Sequence, residues 1–280
     1  MNRLTTAKRV AVVAALVEGN SIRATSRMTG VCKPAILKLL ADIGPACAEY
    51  HDRTVRHINS NRVQVDEIWQ FVYAKAKNVP DEKLGEFGYG DVWTWVAMDA
   101  DSKLIMSWFV GNRDYNAAHS LMIDLSARLS NRIQLTTDGN RLYVDAVRGA
   151  FGRQIDYAML QKVYGLDQEE RRYSPAKIVT TQSEVITGSP DAKHISTSYI
   201  ERQNLTMRMS MRRFTRLTNG FSKKVENHAY AVALHFVHYN FCRIHKTLRV
   251  TPAMAAGLSQ HVWSGEDLIR LLETREAKAA

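Results

Sequence analysis

The sequence predicts an α/β protein in two parts: an all-α N-terminal unit with a helix-turn-helix pattern, and a larger mixed α/β domain. Three observations predict it. Residues 1–42 read as three short helices separated by Gly-containing turns. Residues 62–137 read as three consecutive strands, a helix and a fourth strand. Charge is also split along the chain. Residues 1–60 carry 9 Lys/Arg against 4 Asp/Glu and residues 202–250 carry 10 against 1, while residues 61–201 carry 16 against 19.

The 280 residues are 45% hydrophobic and 24% charged, enough for a sizeable core and ordinary for a globular protein. Long disorder and collagen-like repeats are excluded. No apolar run reaches the length of a membrane span, and the short run at 10–17 has no cleavage site behind it, so neither a membrane nor a signal peptide is expected. Cys32, Cys47 and Cys242 stand at unrelated spacings with no CxxC. That argues against a disulfide framework or a structural zinc and makes a reducing cytoplasm the expected compartment. The net charge of +10, gathered in two basic segments, points to a polyanion such as nucleic acid.

Thr5 and Thr6 cap a first helix, whose Val10, Val13, Ala14 and Val17 recur at helical spacing until Gly19-Asn20 stops it. Ser21 caps a second, 22–29. After Gly30-Val31, Lys33-Pro34 opens a third, with Pro34 in the first turn, where its missing N–H costs nothing. Gly44-Pro45 is expected to end it. Short helix, Gly turn, short helix is the helix-turn-helix pattern. In it Lys33 and Lys38 face DNA, with Arg23 and Arg27 near the phosphates. The polar, basic stretch 51–61 reads as a linker.

From Arg62 to Tyr73 apolar and polar residues alternate, so the segment is a strand, with Asp66 in its interior. A carboxylate there must be paired, hydrogen-bonded or metal-bound. Strands at 92–98 and 103–110 follow, then a helix at 115–129, a strand at 132–137 ending in Asp138-Gly139-Asn140, and a helix at 143–151. Acids inside the first strand and just after the fourth suit Mg²⁺ or Mn²⁺, which take hard oxygen ligands. A pair of such ions clamps the attacking and leaving oxygens of a phosphodiester. A third carboxylate is then wanted from a neighbouring helix. The capped helix at 197–210 supplies Glu201, with Asn204, Leu205 and Arg208 on the same face. Arg202, Arg212, Arg213 and Arg216 extend a basic surface.

Val-Asp66-Glu-Ile-Trp, Thr-Thr-Asp138-Gly-Asn and Tyr199-Ile-Glu201-Arg-Gln-Asn-Leu-Thr-Met-Arg208 resemble the three acidic motifs of DDE transposases, most closely the IS1 family of insertion-sequence transposases. Tyr239-Asn-Phe-Cys-Arg-Ile-His245-Lys-Thr-Leu and Thr251-Pro252 are similar to the tail of many such enzymes. The resemblance spans roughly residues 60–260. It implies a ribonuclease H-like catalytic domain, a mixed five-stranded sheet with flanking helices, which cleaves DNA and joins it at transposon ends. Asp66, Asp138 and Glu201 would be the catalytic, metal-binding triad for two Mg²⁺ or Mn²⁺ ions. Arg208 would contact phosphate, with Arg212, Arg213, His245 and Lys246 extending the DNA surface. The partners implied are double-stranded DNA, both terminal inverted repeats and target, and a second copy of the chain or more.

The domain reading is then 1–50 helix-turn-helix, 51–61 linker, 62–250 catalytic domain and 251–280 helical tail. The 63 residues from Asp138 to Glu201 exceed the compact integrase spacing, so an insertion is expected at about 152–194, with 177–181 and 184–188 as a small hairpin. The N-terminal cysteine zinc motif of some IS1-type proteins is absent. Two other classes remain: a helix-turn-helix regulator without catalysis, and a ribonuclease H-like nuclease that does not join.

Other candidates are weaker. Glu67 neighbours Asp66 but points to the opposite face of the strand, so it is not expected in the site. Asp99 and Asp101 fall in a turn, where Asp bonds its own backbone. His235, His238 and Cys242 lie near one helical face, but a fourth zinc ligand is missing.

Overall fold

A computed structural model describes residues 3–164, 178–215 and 219–279. Its centre is a mixed sheet of six strands in the order β3-β2-β1-β4-β5-β6. These are β1 (Arg62–Val72), β2 (Gly90–Asp99), β3 (Ile105–Gly111), β4 (Gln134–Asp138), β5 (Asp156–Tyr164) and β6 (Ile178–Thr187). The first three form an antiparallel meander, β4 and β5 run parallel to β1, and β6 is antiparallel to β5.

Period-two alternation sorts the β1 and β2 side chains onto two faces. Val63, Val65, Trp95 and Ala97 pack against α4 (Tyr115–Ser126) and α5 (Leu142–Phe151). Ile68, Val96 and Met98 pack on the other face, against α6 (Ser198–Ser210) and α7 (Val225–Val237). The sheet is therefore sandwiched between helices, as a sheet with two apolar faces must be.

Three local expectations are corrected. The sheet has six strands rather than five. Residues 178–187 form one continuous strand on β5, in place of a hairpin within 177–188; Lys177 lies outside the described residues. The third helix does not stop at Gly44-Pro45. After α1 (Thr6–Val17) and α2 (Ile22–Thr29), α3 runs from Lys33 to Thr54 with Pro45 inside it. Gly44 is where α7 crosses: a Cβ there would sit 2.4 Å from the Tyr230 Cβ. The glycine thus serves close helix packing rather than termination, and having no Cβ it also relieves the clash that a proline imposes on the residue before it.

The stretch 51–61 is likewise not a linker. His51 ends buried, with Nε2 3.0 Å from the Ile105 carbonyl oxygen, while Val55 and Ile58 are buried in the core. The buried cluster runs without a break from α1 and α3 to the sheet and to α9 (Gly265–Ala279), which packs on the N-terminal helices; α8 (Pro252–Ala255) precedes it. No helix among the described residues is long and apolar enough to cross a membrane.

The tail motif has a structural use. Asn240, fully buried in a π-helical turn after α7, accepts from the Ile105 N–H at 3.0 Å and donates to its carbonyl oxygen at 2.9 Å. It thereby pairs both backbone groups of a residue on the edge strand β3, sharing the carbonyl oxygen with His51 Nε2.

Candidate functional site

Pairing between β1 and β4 ends at Val65 and Thr137. Beyond that rung β1 continues, paired only to β2, while β4 ends at Asp138. A notch opens between the two strands. Asp66 faces the α6 side and Glu67 the α5 side, yet both reach into the notch beside Asp138. A carboxylate oxygen of each of the three lies within 4.8 Å of the others. The alternation that set Glu67 on the opposite face is correct, but past the last rung the faces no longer separate the side chains.

Each acid is held differently. Asp66 Oδ1 accepts from the Glu67 backbone N–H at 2.9 Å, and Oδ2 accepts from Asn204 Nδ2 at 2.8 Å. Asp138 Oδ1 accepts from the Asn140 N–H at 3.0 Å. Glu67 is the most heavily bonded: Oε1 takes Arg113 Nε at 2.9 Å and Asn140 Nδ2 at 3.0 Å, and Oε2 takes the Tyr143 hydroxyl at 2.7 Å. With its lone pairs so engaged, Glu67 is suited to fixing the walls of the notch. Asp66 and Asp138 keep more free acceptor capacity.

Burial and mutual repulsion govern their ionisation. Desolvation, with the charges of Asp138 and Glu67 added, pushes Asp66 up to about 8. Desolvation and the Glu67 charge push Asp138 up to about 6, against the pull of the Asn140 N–H and the Arg113 guanidinium. Oxygen-only donors, crowded and reluctant to ionise alone, are a fitting set for a hard divalent cation. The amide oxygen of Asn204, buried and without a hydrogen-bond partner beside Asp66, adds to that fit.

Glu201 is exposed on the first turn of α6 and outside this group of three. Its Oε1 accepts from Lys162 Nζ on β5 and from Thr197 Oγ1 at 2.6 Å. Its charge still reaches the centre, raising the pKa of both Asp66 and Asp138.

The basic candidates separate into groups. Arg23, Lys33, Arg212 and Arg213 line one cleft of about 1000 Å³, between the N-terminal helices and the segment after α6, together with Lys223; among the described residues no carboxylate lines it. Arg213 donates to Ser222 Oγ at 3.2 Å, and burial lowers its pKa to about 10. Arg27 and Lys38 are exposed outside that cleft, and Lys38 pairs with Asp42 at 2.7 Å. Arg208 donates to the Phe214 carbonyl oxygen at 3.4 Å. His245 Nδ1 lies 3.0 Å from Thr247 Oγ1, and burial, then the charges of Lys103, Arg243 and Arg202, lowers its pKa; Lys246 beside it is exposed. Arg216 lies outside the described residues.

Reading the sequence missed Glu67, Arg113, Tyr143, Lys162 and Lys223. Only the Asp-Gly-Asn turn carried a signal, since its Asn140 bonds both Asp138 and Glu67. His235, His238 and Cys242 form no group of three metal-ligating side chains among the described residues.

No protein-family model matches the chain, and no curated protein matches it. Among solved structures it is similar to the Mos1 strand transfer complex, at 14% identity and TM-score 0.22 over 53% of this chain and 55% of that one. Similarity to the Mos1 mariner paired end complex with Mn is 13% at TM-score 0.22, over 54% and 57%. For the piggyBac transposase synaptic complex with hairpin DNA it is 11% at TM-score 0.38, over 98% and 72%. The chain thus spans little more than half the length of the Mos1 chains it matches.

Proposed function

We propose that the chain is a metal-dependent DDE transposase of the IS1 insertion-sequence type, which cuts DNA at element ends and joins the freed 3′ end to a target. The observation that carries this reading is the meeting of Asp66 and Asp138 where β1 and β4 part. The sheet order β3-β2-β1-β4-β5, with β4 and β5 parallel to β1, supports a ribonuclease H-like catalytic core.

Asp66 and Asp138 would hold Mg²⁺ or Mn²⁺, with Glu201 as the third carboxylate. A divalent cation bound there polarises a phosphodiester and makes water or a 3′-hydroxyl a better nucleophile. Asp66 and Asp138 bind; Glu67, tied to Arg113, Asn140 and Tyr143, keeps their surroundings fixed. The Arg113 guanidinium, half-exposed at the rim, offers a donor to a phosphate oxygen. Lys162 holds Glu201 in place from β5. No side chain need act as a covalent nucleophile.

Contact with DNA beyond the reacting phosphate falls to the basic cleft, where Arg23 and Lys33 of the helix-turn-helix segment oppose Arg212, Arg213 and Lys223. Phosphate binding by such groups releases counterions whatever the base sequence. Synapsis of two ends calls for at least a dimer.

End-labelled DNA carrying the element's terminal repeats, incubated with the protein and Mn²⁺ or Mg²⁺, tests the reading. Joined products are expected. Cleavage without joining would point to a nuclease, and a mobility shift without cleavage to a regulator; either result overturns it.

A further inference from the structure

Asn204 sits on α6, one turn after Glu201, and is nine-tenths buried. Its Nδ2 donates to Asp66 Oδ2 at 2.8 Å, while its Oδ1 is shut off from solvent and accepts from nothing. When Asp66 is ionised, as it must be to hold a cation, exchanging the amide atoms would set one acceptor against another, so the carboxylate form fixes this orientation. Buried carbonyl oxygens without a donor are rare in folded proteins, and each calls for an explanation. Covalent geometry keeps the nitrogen and oxygen of one amide close, so this oxygen lies within about 5 Å of Asp66 Oδ2.

A donor-less oxygen fixed beside an acid that itself needs a counter-charge suits one kind of partner. We propose that Asn204 Oδ1 is a neutral ligand of the divalent cation held by Asp66 and Asp138, while its Nδ2 orients Asp66. The inference rests on the metal reading given under the proposed function. Hard cations accept amide carbonyl oxygens alongside carboxylates. A neutral ligand is apt here, because Asp66, Glu67 and Asp138 already bring three carboxylate oxygens within 4.8 Å of one another. It adds coordination without adding negative charge.

The test is Mn²⁺ affinity of the full chain without DNA, measured by calorimetry or electron paramagnetic resonance. The proteins compared are the wild type, Asn204→Ala, Asn204→Asp and Asp138→Asn, and circular dichroism and melting in EDTA establish that each is folded. Removing the oxygen should weaken Mn²⁺ binding about tenfold or more, in line with the effect of losing groups that support a metal site. Asn204→Asp restores an oxygen in the same place but cannot donate to Asp66. It is expected to bind Mn²⁺ at least as tightly as the wild type, and it decides the matter alone should the alanine variant not fold.

Two results overturn the proposal while leaving the metal reading intact, provided Asp138→Asn still abolishes binding. One is an alanine variant that binds like the wild type. The other is an aspartate variant that binds about tenfold or more weaker than the wild type, which would make the amide only a donor to Asp66. A wild type that binds no Mn²⁺ overturns both.

Discussion

Asp66 and Asp138 are held where ionisation without a cation is unfavourable. Both carboxyls titrate above their ordinary range, Asp66 at about 8 and Asp138 at about 6, first through burial and then through neighbouring acids. For an acid whose folded pKa is raised, the stabilising contribution is full below the unfolded pKa and is lost as pH rises through the folded value. The metal-free protein should therefore lose stability between pH 4 and 8, on a scale of about those pKa values. A cation must displace these protons, so Mn²⁺ should raise the melting temperature more at pH 8 than at pH 6. Melting curves with Mn²⁺ and with EDTA at both pH values check this, and Asp66→Asn should flatten the metal-free dependence. Glu67 supplies part of the shift on both acids. Glu67→Gln should move the pH midpoint of Mn²⁺ binding downward, and an unmoved midpoint would show that its charge is not felt there. Asp66 was legible from sequence because a carboxylate inside an apolar strand stands out by itself. Glu67 was not, because its membership depends on where pairing with β4 stops, and that is a property of two strands far apart in sequence.

Among the elements, the strands and most helices were legible because their apolar periodicities are local. Residues 22–29 were read as a helix with the bounds of α2, and β1 was read to within one residue. What local pattern could not reveal is a glycine answering to a distant helix. Gly44-Pro45 is a stop signal by propensity, but α7 packs so close at Gly44 that any side chain would strike Tyr230. Tertiary packing overrides the local preference and carries α3 on to Thr54. Gly44→Ala should accordingly cost about 1–3 kcal/mol, the usual range for forcing extra volume into a packed contact. Urea unfolding checks it, and a loss near zero would mean that α3 and α7 can move apart. Asn240→Ala should be destabilising in the same assay by about 1–3 kcal/mol, because it strips the side-chain acceptor from the buried Ile105 N–H and leaves the carbonyl oxygen with His51 Nε2 alone of its two side-chain partners.

For the whole molecule, the two basic segments, 1–60 and 202–250, matter through their meeting. Arg23 and Lys33 come from the first, Arg212, Arg213 and Lys223 from the second, and folding brings them to one cleft that no carboxylate lines among the described residues. Charge counts along the chain indicated two basic segments, but not that they share one wall-to-wall space. If this cleft grips the DNA backbone, each cation removed should subtract a fixed part of the salt dependence, since binding releases about 0.9 counterion per phosphate neutralised. Replacing exposed Lys33 and Lys223 together by alanine should lower the slope of log affinity against log salt by about 2. Mn²⁺ affinity should not change, because both lysines line the basic cleft and none of Asp66, Glu67 and Asp138 does. Fluorescence anisotropy with a labelled duplex across a salt series reads the slope, and calorimetry reads the metal. A slope equal to that of the wild type would remove the cleft from the DNA path and leave the exposed Arg27, Lys38 and Lys246 to carry the contact. The opposite control, Asp138→Asn, should keep the wild-type slope while losing Mn²⁺. The two activities, holding the backbone and holding the cation, would then be carried by separate parts of one fold.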